Sequence, residues 1–367
     1  MRVVAFIVGL TLILAILWDT FETIILPRRV TRRIKLTSLF YRSVWIPWSH
    51  LITRTIPSSR QREKYLSLFG PLSLIFLLAL WAFILIVGYA CLLWATNPTI
   101  LAPHEKADFL TYVYLSGVTF FTLGYGDVAP ILPAGRVLAV IETANGFGLL
   151  AVVISYLPVL YQAFSRRETS ISLLDARAGS PSSAVELLRR HRAQGSFDDL
   201  NRLLSEWERW SAELLESHLS YPVLCYFRSQ HDNQSWVRAL TTVLDTCALV
   251  IVGVKDAPVW QARLTFAMAR HAVVDLAQVF RTAPRATDSC ALRLTSAEFA
   301  RMREIFSKNE IVLAPGDEVE TRLGELRAMY EPYVFALSEF LLMPLPPWIL
   351  PEDAIDNWKT SAWGRIQ

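Results

Sequence analysis

Thr119-Phe120-Phe121-Thr122-Leu123-Gly124-Tyr125-Gly126-Asp127-Val128 is the stretch on which the reading of this chain turns. It lies between two long apolar runs, Gly70 to Trp94 and Pro133 to Gln162. About a dozen mostly apolar and small residues, Asp108 to Phe121, lead into it. They are too few to cross a bilayer, which takes about 20 residues of helix. Non-helical backbone at membrane depth is tolerated only where it is buried in protein or lines a water-filled path. The pattern therefore predicts a full span over 70–94, a re-entrant helix over 108–121, a non-helical stretch over 122–127 and a second full span over 133–162.

The non-helical stretch reads T-L-G-Y-G-D, Thr122 to Asp127. Gly124 and Gly126 open backbone conformations that a Cβ makes costly. Alternating such conformations turns successive carbonyls toward one axis, where they replace the water around a cation. In this the hexapeptide resembles the selectivity filter of potassium channels of the pore-loop superfamily, and the resemblance covers Gly70 to Gln162.

The resemblance implies a pore-loop fold of outer helix (70–94), pore helix (108–121), filter (122–127) and inner helix (133–162). It implies K+ as the permeant ion, held at Thr122, Leu123, Gly124 and Tyr125, with Gly126 completing the filter. Thr122 adds a side-chain oxygen at the inner end, Tyr125 points into the surrounding helices, and Asp127 sits at the outer mouth. Gly146 and Gly148 fall where relatives carry the gating hinge. Val118 occupies the position where several relatives carry a glutamate that bonds the outer aspartate. One chain carries one filter, so a closed symmetric pore requires a homotetramer.

The composition agrees with a membrane protein that also has a soluble part: 367 residues, 53 % hydrophobic, 12 Trp and a net charge of +3. Residues Val3 to Trp18 are apolar, the run resumes at Ile24, and no small-residue cleavage site follows. This predicts an N-terminal transmembrane helix over 1–26. Between Pro27 and Lys64 there are ten Arg or Lys and one acid, Glu63, whereas Ala95 to Asp108 has the single basic residue Lys106. By the positive-inside rule the first region is cytoplasmic and the second external, which puts the N-terminus outside and the chain in the cell membrane. Segment 27–64 is basic and amphipathic. It reads as a surface-lying helix broken near Pro47, with Trp45 and Trp48 at headgroup depth, and its charge would attract anionic lipid. Arg28, Arg29, Arg32 and Arg33 lie outside any apolar helix, so no arginine-striped voltage sensor is expected.

Four carboxyl or amide groups fall inside apolar runs. Asp19 and Glu22 share a helix face, with Arg28 or Arg29 as expected partners, or form a pH- or ion-sensitive element. Glu142 and Asn145 lie within the inner helix, and Glu142 is placed to brace the back of the pore helix or face a neighbouring subunit; an unpaired carboxylate at that depth is costly. Pro158 is expected to kink the inner helix near its cytoplasmic end.

The pore domain is thus expected over 65–164 and a cytoplasmic domain over 165–367. The latter is expected to be mostly α-helical, with a capped start after Gly179-Ser180-Pro181-Ser182-Ser183. Helical spacing follows from Leu187 to Leu215, with further helices at Gln234–Val254, Ala257–Arg281, Ser296–Ser307 and Glu318–Leu341 and an extended arm at Pro344–Trp348. No Gly-x-Gly-x-x-Gly follows a strand, no catalytic constellation is present and nothing suggests nucleic acid. Cys91, Cys225, Cys247 and Cys290 form no C-x-x-C pair, and His218, His231 and Asp232 match no zinc spacing. The chain reads as an all-α membrane protein, a non-enzymatic potassium-selective channel without cofactor beyond the permeant K+, gated or assembled by its C-terminal domain. The alternatives are a weakly selective cation channel and a non-conducting sensor or scaffold with a pore-like fold.

Overall fold

A computed structural model describes residues 1–26, 36–96, 100–101, 107–193, 195–231, 233–285, 293–316, 318–351 and 354. The arginines at 28–33, most of the loop with Lys106, Asp232 and Cys290 lie outside the described residues. The chain divides into two compact units. The first joins Met1–Thr55 to Leu68–Gln162, and the second joins Ile56–Ser67 to Ala163–Gln367.

In the first unit α1 (Arg2–Thr20) continues as a π-helical turn (Phe21–Ile25). It packs on α4 (Phe69–Thr96) where two glycines meet. A Cβ on Gly9 would sit 2.6 Å from the Gly88 carbonyl oxygen, and one on Gly88 would sit 2.9 Å from Ile13 Cγ1. Small residues at such a crossing let two backbones approach closely. Toward the other end of α1 the buried Asp19 accepts from the Trp81 indole (3.0 Å) and the Thr37 hydroxyl (2.7 Å), which ties α1 to α4 and to α2 (Leu36–Thr55). Glu22 accepts from the Trp18 indole at 2.7 Å. The pairing expected with Arg28 or Arg29 falls on residues outside the described set. The described partners of both carboxylates are neutral donors.

Helix α2 corrects one expectation. It runs unbroken through Pro47, and Trp45 is buried rather than at a surface. Trp45 meets the Phe69 ring edge-on at 4.8 Å between centroids. An interior proline costs a helix about 3 kcal/mol, and burial of a large aromatic next to it supplies an opposing term of similar size.

Helix α5 (Phe109–Phe120) is the short apolar helix, and α6 (Pro133–Ala178) follows it. α6 is longer than the span expected over 133–162. Pro158 lies exposed inside it, twenty residues before its end, rather than near a terminus. No glycine or second proline intervenes until Gly179, whose φ of +84° ends the helix in the left-handed conformation that glycine tolerates.

The second unit holds α3 (Ser59–Ser67), α7 (Ala184–Arg192), α8 (Asp198–Ser220), a 3-10 turn (Pro222–Tyr226), α9 (Trp236–Gly253), α10 (Val259–Val279), α11 (Ser296–Lys308), α12 (Glu318–Ala328) and α13 (Glu331–Leu341). Ser183, Ser235 and Thr295 cap α7, α9 and α11 with their side-chain oxygens. Helix α9 is the centre: every residue from Trp236 to Val250 is buried, with α7, α8, α10, α12 and α13 packed on it. Its one acid, Asp245, accepts from Arg293 (2.9 Å) and from the Tyr330 hydroxyl (2.5 Å). Arg293 also reaches Glu331, so a charge inside an apolar helix is neutralised.

The helix expected over 318–341 is two helices. Pro332 in the first turn of α13 has no N–H for the carbonyl of Ala328, so the run breaks at Met329–Tyr330. The Pro344–Trp348 arm is non-helical. It buries Trp348, whose carbonyl accepts from the Ser183 hydroxyl at 2.6 Å.

Candidate functional site

The site is built on the end of α5. Asp108 caps its start, accepting from the Thr111 amide at 2.9 Å while Thr111 reciprocates. Tyr112 and Leu115 pack with Ala90 and Leu93 of α4 and with Ile100, which fixes the helix against α4. At the other end the helix tightens rather than fraying. The amide of Thr122 donates to Thr119 O (3.0 Å) and that of Leu123 to Val118 O (2.8 Å).

From there the backbone alternates. Thr122, Gly124 and Gly126 have φ of +58°, +60° and +77°. The residues between them, Leu123 and Tyr125, do not share that conformation. The glycines are required for conformation alone, since a Cβ at either would meet nothing within 4 Å. Thr122 is the unexpected member. A β-branched residue at positive φ is a genuine outlier, and such strain persists only where the surroundings hold it. Here the two amide bonds back onto α5 bracket it. Beyond Asp127 the chain pairs with the segment before α5 in a two-residue antiparallel ladder, Ile100 with Pro130 and Leu101 with Ala129.

Three side-chain pairs join the site to its scaffold. The Tyr114 hydroxyl donates to Asp127 Oδ2 at 2.9 Å, so the outer aspartate is braced one turn earlier on α5 than Val118. On α6, Glu142 is fully buried and meets the Ser116 hydroxyl in a very short contact, while Ser116 also lies 2.8 Å from Ile86 O. Three helices thus converge on Ser116. Glu142 Oε2 is buried without a partner among the described residues. One turn on, Asn145 meets the Tyr89 hydroxyl of α4, again at very short range.

The two expected hinge glycines differ. A Cβ on Gly146 would lie 2.1 Å from Phe120 O, so this glycine admits the end of α5 against α6. Gly148 faces open space, and Pro158 is exposed within the helix.

Tyr125 is 69 % exposed and is not packed among the helices of its own chain; Leu123 is exposed at 57 %. Glu142 braces the short helix as expected, through Ser116; the pairings of Tyr114 and Tyr89 were not foreseen. The available signal was that each polar group in one apolar run needs a partner in another. His218 joins no metal cluster: it is buried against Arg167 (3.1 Å), and among the described residues no group of three metal-ligating side chains occurs.

Comparison with known proteins agrees with this geometry. Residues 75–162 match the family model described as "Ion channel". The chain is similar to the uncharacterized membrane protein YdjJ of Bacillus subtilis (strain 168), 24 % identical over 201 residues, which is 54 % of this chain and 58 % of that protein. The chain thus spans under two thirds of the length of that relative. No solved structure matches. The fold is all-α, with apolar helices at Arg2–Ile24, Ser59–Thr96 and Pro133–Ala178 long enough to cross a membrane, and 75–162 is the part that is similar to ion channels.

Proposed function

We propose that the chain forms a potassium-selective channel, a homotetramer conducting K+ passively through the carbonyls of Thr122, Leu123, Gly124 and Tyr125, with Gly126 completing the filter and Asp127 at its outer mouth. The observation that carries this reading is the alternation of left-handed backbone at Thr122, Gly124 and Gly126 within a loop anchored to a re-entrant helix. Such alternation aims successive carbonyls one way, as dehydrating a cation requires.

The exposure pattern supports the tetramer. Leu123 and Tyr125 stand open in one chain, and so do Val137, Val140, Phe147 and Ile154 along α6. A non-helical loop facing lipid is untenable, so neighbouring copies cover it, and Tyr125 packs against them. In the cell membrane the N-terminus lies outside and the second unit is cytoplasmic, as the positive-inside rule requires. The basic stretch around 27–64 faces anionic lipid on the inner leaflet, and the second unit gates or assembles the pore.

Purified chain in liposomes tests the reading. Uptake of K+ well above Na+ is expected. Equal uptake of both ions would make it a weakly selective cation channel, and no uptake at any pH or lipid composition would leave a non-conducting scaffold.

A further inference from the structure

The second unit contains two pieces of chain that are covalently continuous with the helices of the ion-channel domain. One is the α6 extension after Gln162. The other is α3, which is separated from α4 by the single residue Leu68. One short segment, Leu224 to Arg228, holds both.

On the α6 side, Arg167 is buried and its guanidinium is fully engaged. It donates to Leu224 O (2.8 Å) and Phe227 O (2.7 Å), meets His218 Nε2 at 3.1 Å, and pairs with Glu168 at 2.9 Å. The Phe164 and Phe227 rings stack beside it at 5.6 Å. On the α3 side, Arg228 Nη1 donates to both carboxylate oxygens of Glu63, at 2.6 and 2.7 Å. Its Nη2 donates to Leu341 O at 2.5 Å and Leu342 O at 3.2 Å. The arginine is thus fixed to the end of α13, and Glu63 is the group it holds. Buried Arg238 adds a second positive charge attracting Glu63.

The contact is charge-assisted, and because the Arg228 side chain is 2 % exposed, losing Glu63 would leave its charge poorly compensated. Glu63 is the only acid between Pro27 and Lys64. Its place opposite a buried arginine is therefore specific to this helix and does not reflect a general acidic surface.

We propose that segment 224–228 grips, within the second unit, the two pieces of chain that run on into the channel domain, the α6 extension through Arg167 and α3 through the Glu63–Arg228 pair, so that a change of state in the second unit is passed along the chain toward α4 as well as α6. The inference rests on the channel reading above for its functional half. A domain attached only through the inner helix can pull on one helix of the pore. One that also holds α3 can pull on a second.

The test uses full-length chain in liposomes with Glu63→Gln, the conservative Glu63→Asp, and Lys64→Gln on the exposed face of α3 as control. Glu63→Gln is expected to speed amide exchange across 59–67 about tenfold and to change the K+ uptake rate at least threefold, leaving the K+/Na+ ratio intact. Glu63→Asp keeps a carboxylate and should return both readouts part of the way; Lys64→Gln should move neither. Unchanged exchange at 59–67 overturns the grip. Faster exchange with unchanged uptake overturns the coupling. Absence of uptake from the unmodified chain instead overturns the channel reading and the coupling with it, while exchange at 59–67 still decides the grip.

Discussion

Helices α6 and α9 are both long and apolar enough to cross a membrane, yet their surroundings are opposite. Only 11 % of the most apolar window of α6 is buried within the chain, against 89 % for α9. Hydropathy does not separate them, because apolar side chains leave water equally well for lipid or for a protein interior. What separates them is the company each can recruit. α9 has five helices packed on it and an arginine, Arg293, that reaches its one acid. α6 leaves Val137, Val140, Phe147 and Ile154 open along its length, and it answers its own acid with a neutral hydroxyl on α5. A buried carboxylate with a guanidinium partner belongs to a globular interior. A buried carboxyl set against a serine belongs to a span, where a bare charge is expensive.

The hardest way to break this contrast is to remove the arginine. Arg293→Leu leaves Asp245 and Glu331 without their main partner inside the second unit, and breaking a buried pair in this way costs about 3–5 kcal/mol. Limited proteolysis should then cut between 184 and 341 while the membrane unit stays protected. Retained protease resistance would show that α9 does not depend on charge neutralisation.

Next in size is Gly146→Ala. Its Cβ would fall 2.1 Å from Phe120 O, and overpacking of this kind costs about 1–3 kcal/mol. K+ uptake should be lost or strongly reduced, whereas Gly148→Ala, facing open space, should leave it within about twofold. Equal effects at both positions would favour bending over packing as the role of this stretch.

Ser116→Ala removes the hydroxyl that answers Glu142. An orphaned buried polar group costs about 1–3 kcal/mol, so the melting temperature of the membrane unit should drop. Adding Glu142→Leu to the same chain should return most of the loss. No recovery in the double variant would mean that Glu142 has another essential partner.

The smallest effect is a pH dependence in the second unit. Burial, reinforced by the positive charge of Arg167, holds the His218 imidazole well below its usual range. The folded unit therefore keeps it neutral while the unfolded chain protonates it below pH of about 6.5. Stability from this group is fully present above that pH and declines as pH falls, with a slope of up to about 1.4 kcal/mol per pH unit. Chemical denaturation at pH 7.5 and 5.5 should show the decline, and His218→Gln should flatten it.

Much of the site was legible before any fold was known. Gly124 and Gly126 announce left-handed backbone, and the short apolar run before them announces a helix that does not cross. Thr122 was not legible as a third left-handed residue. Its conformation comes from amide bonds back to Val118 and Thr119, which a propensity for threonine does not contain. Val118, standing where relatives carry a glutamate, offered Asp127 no brace in the sequence, and the bond comes from Tyr114 instead. The break foreseen at Pro47 failed for the same kind of reason: Trp45 lies against Phe69, more than twenty residues away, and that packing holds the helix. In the other direction, Pro332 split a helix that periodicity had drawn as one.

By itself the sequence determined the local matters: which segments are helical and apolar, that Gly124 and Gly126 turn left-handed, and that a short helix and a non-helical loop stand between two long apolar helices. These depend on contiguous residues, through hydropathy, capping and the freedom of glycine. The tertiary structure alone decided that Gly146 packs against α5 while Gly148 does not, that Ser116 is the group Glu142 meets, and that Asp19 answers Trp81. Each of these depends on atoms brought together from tens of residues apart, and a hydrogen bond or a van der Waals limit acts only across the few ångströms that folding creates.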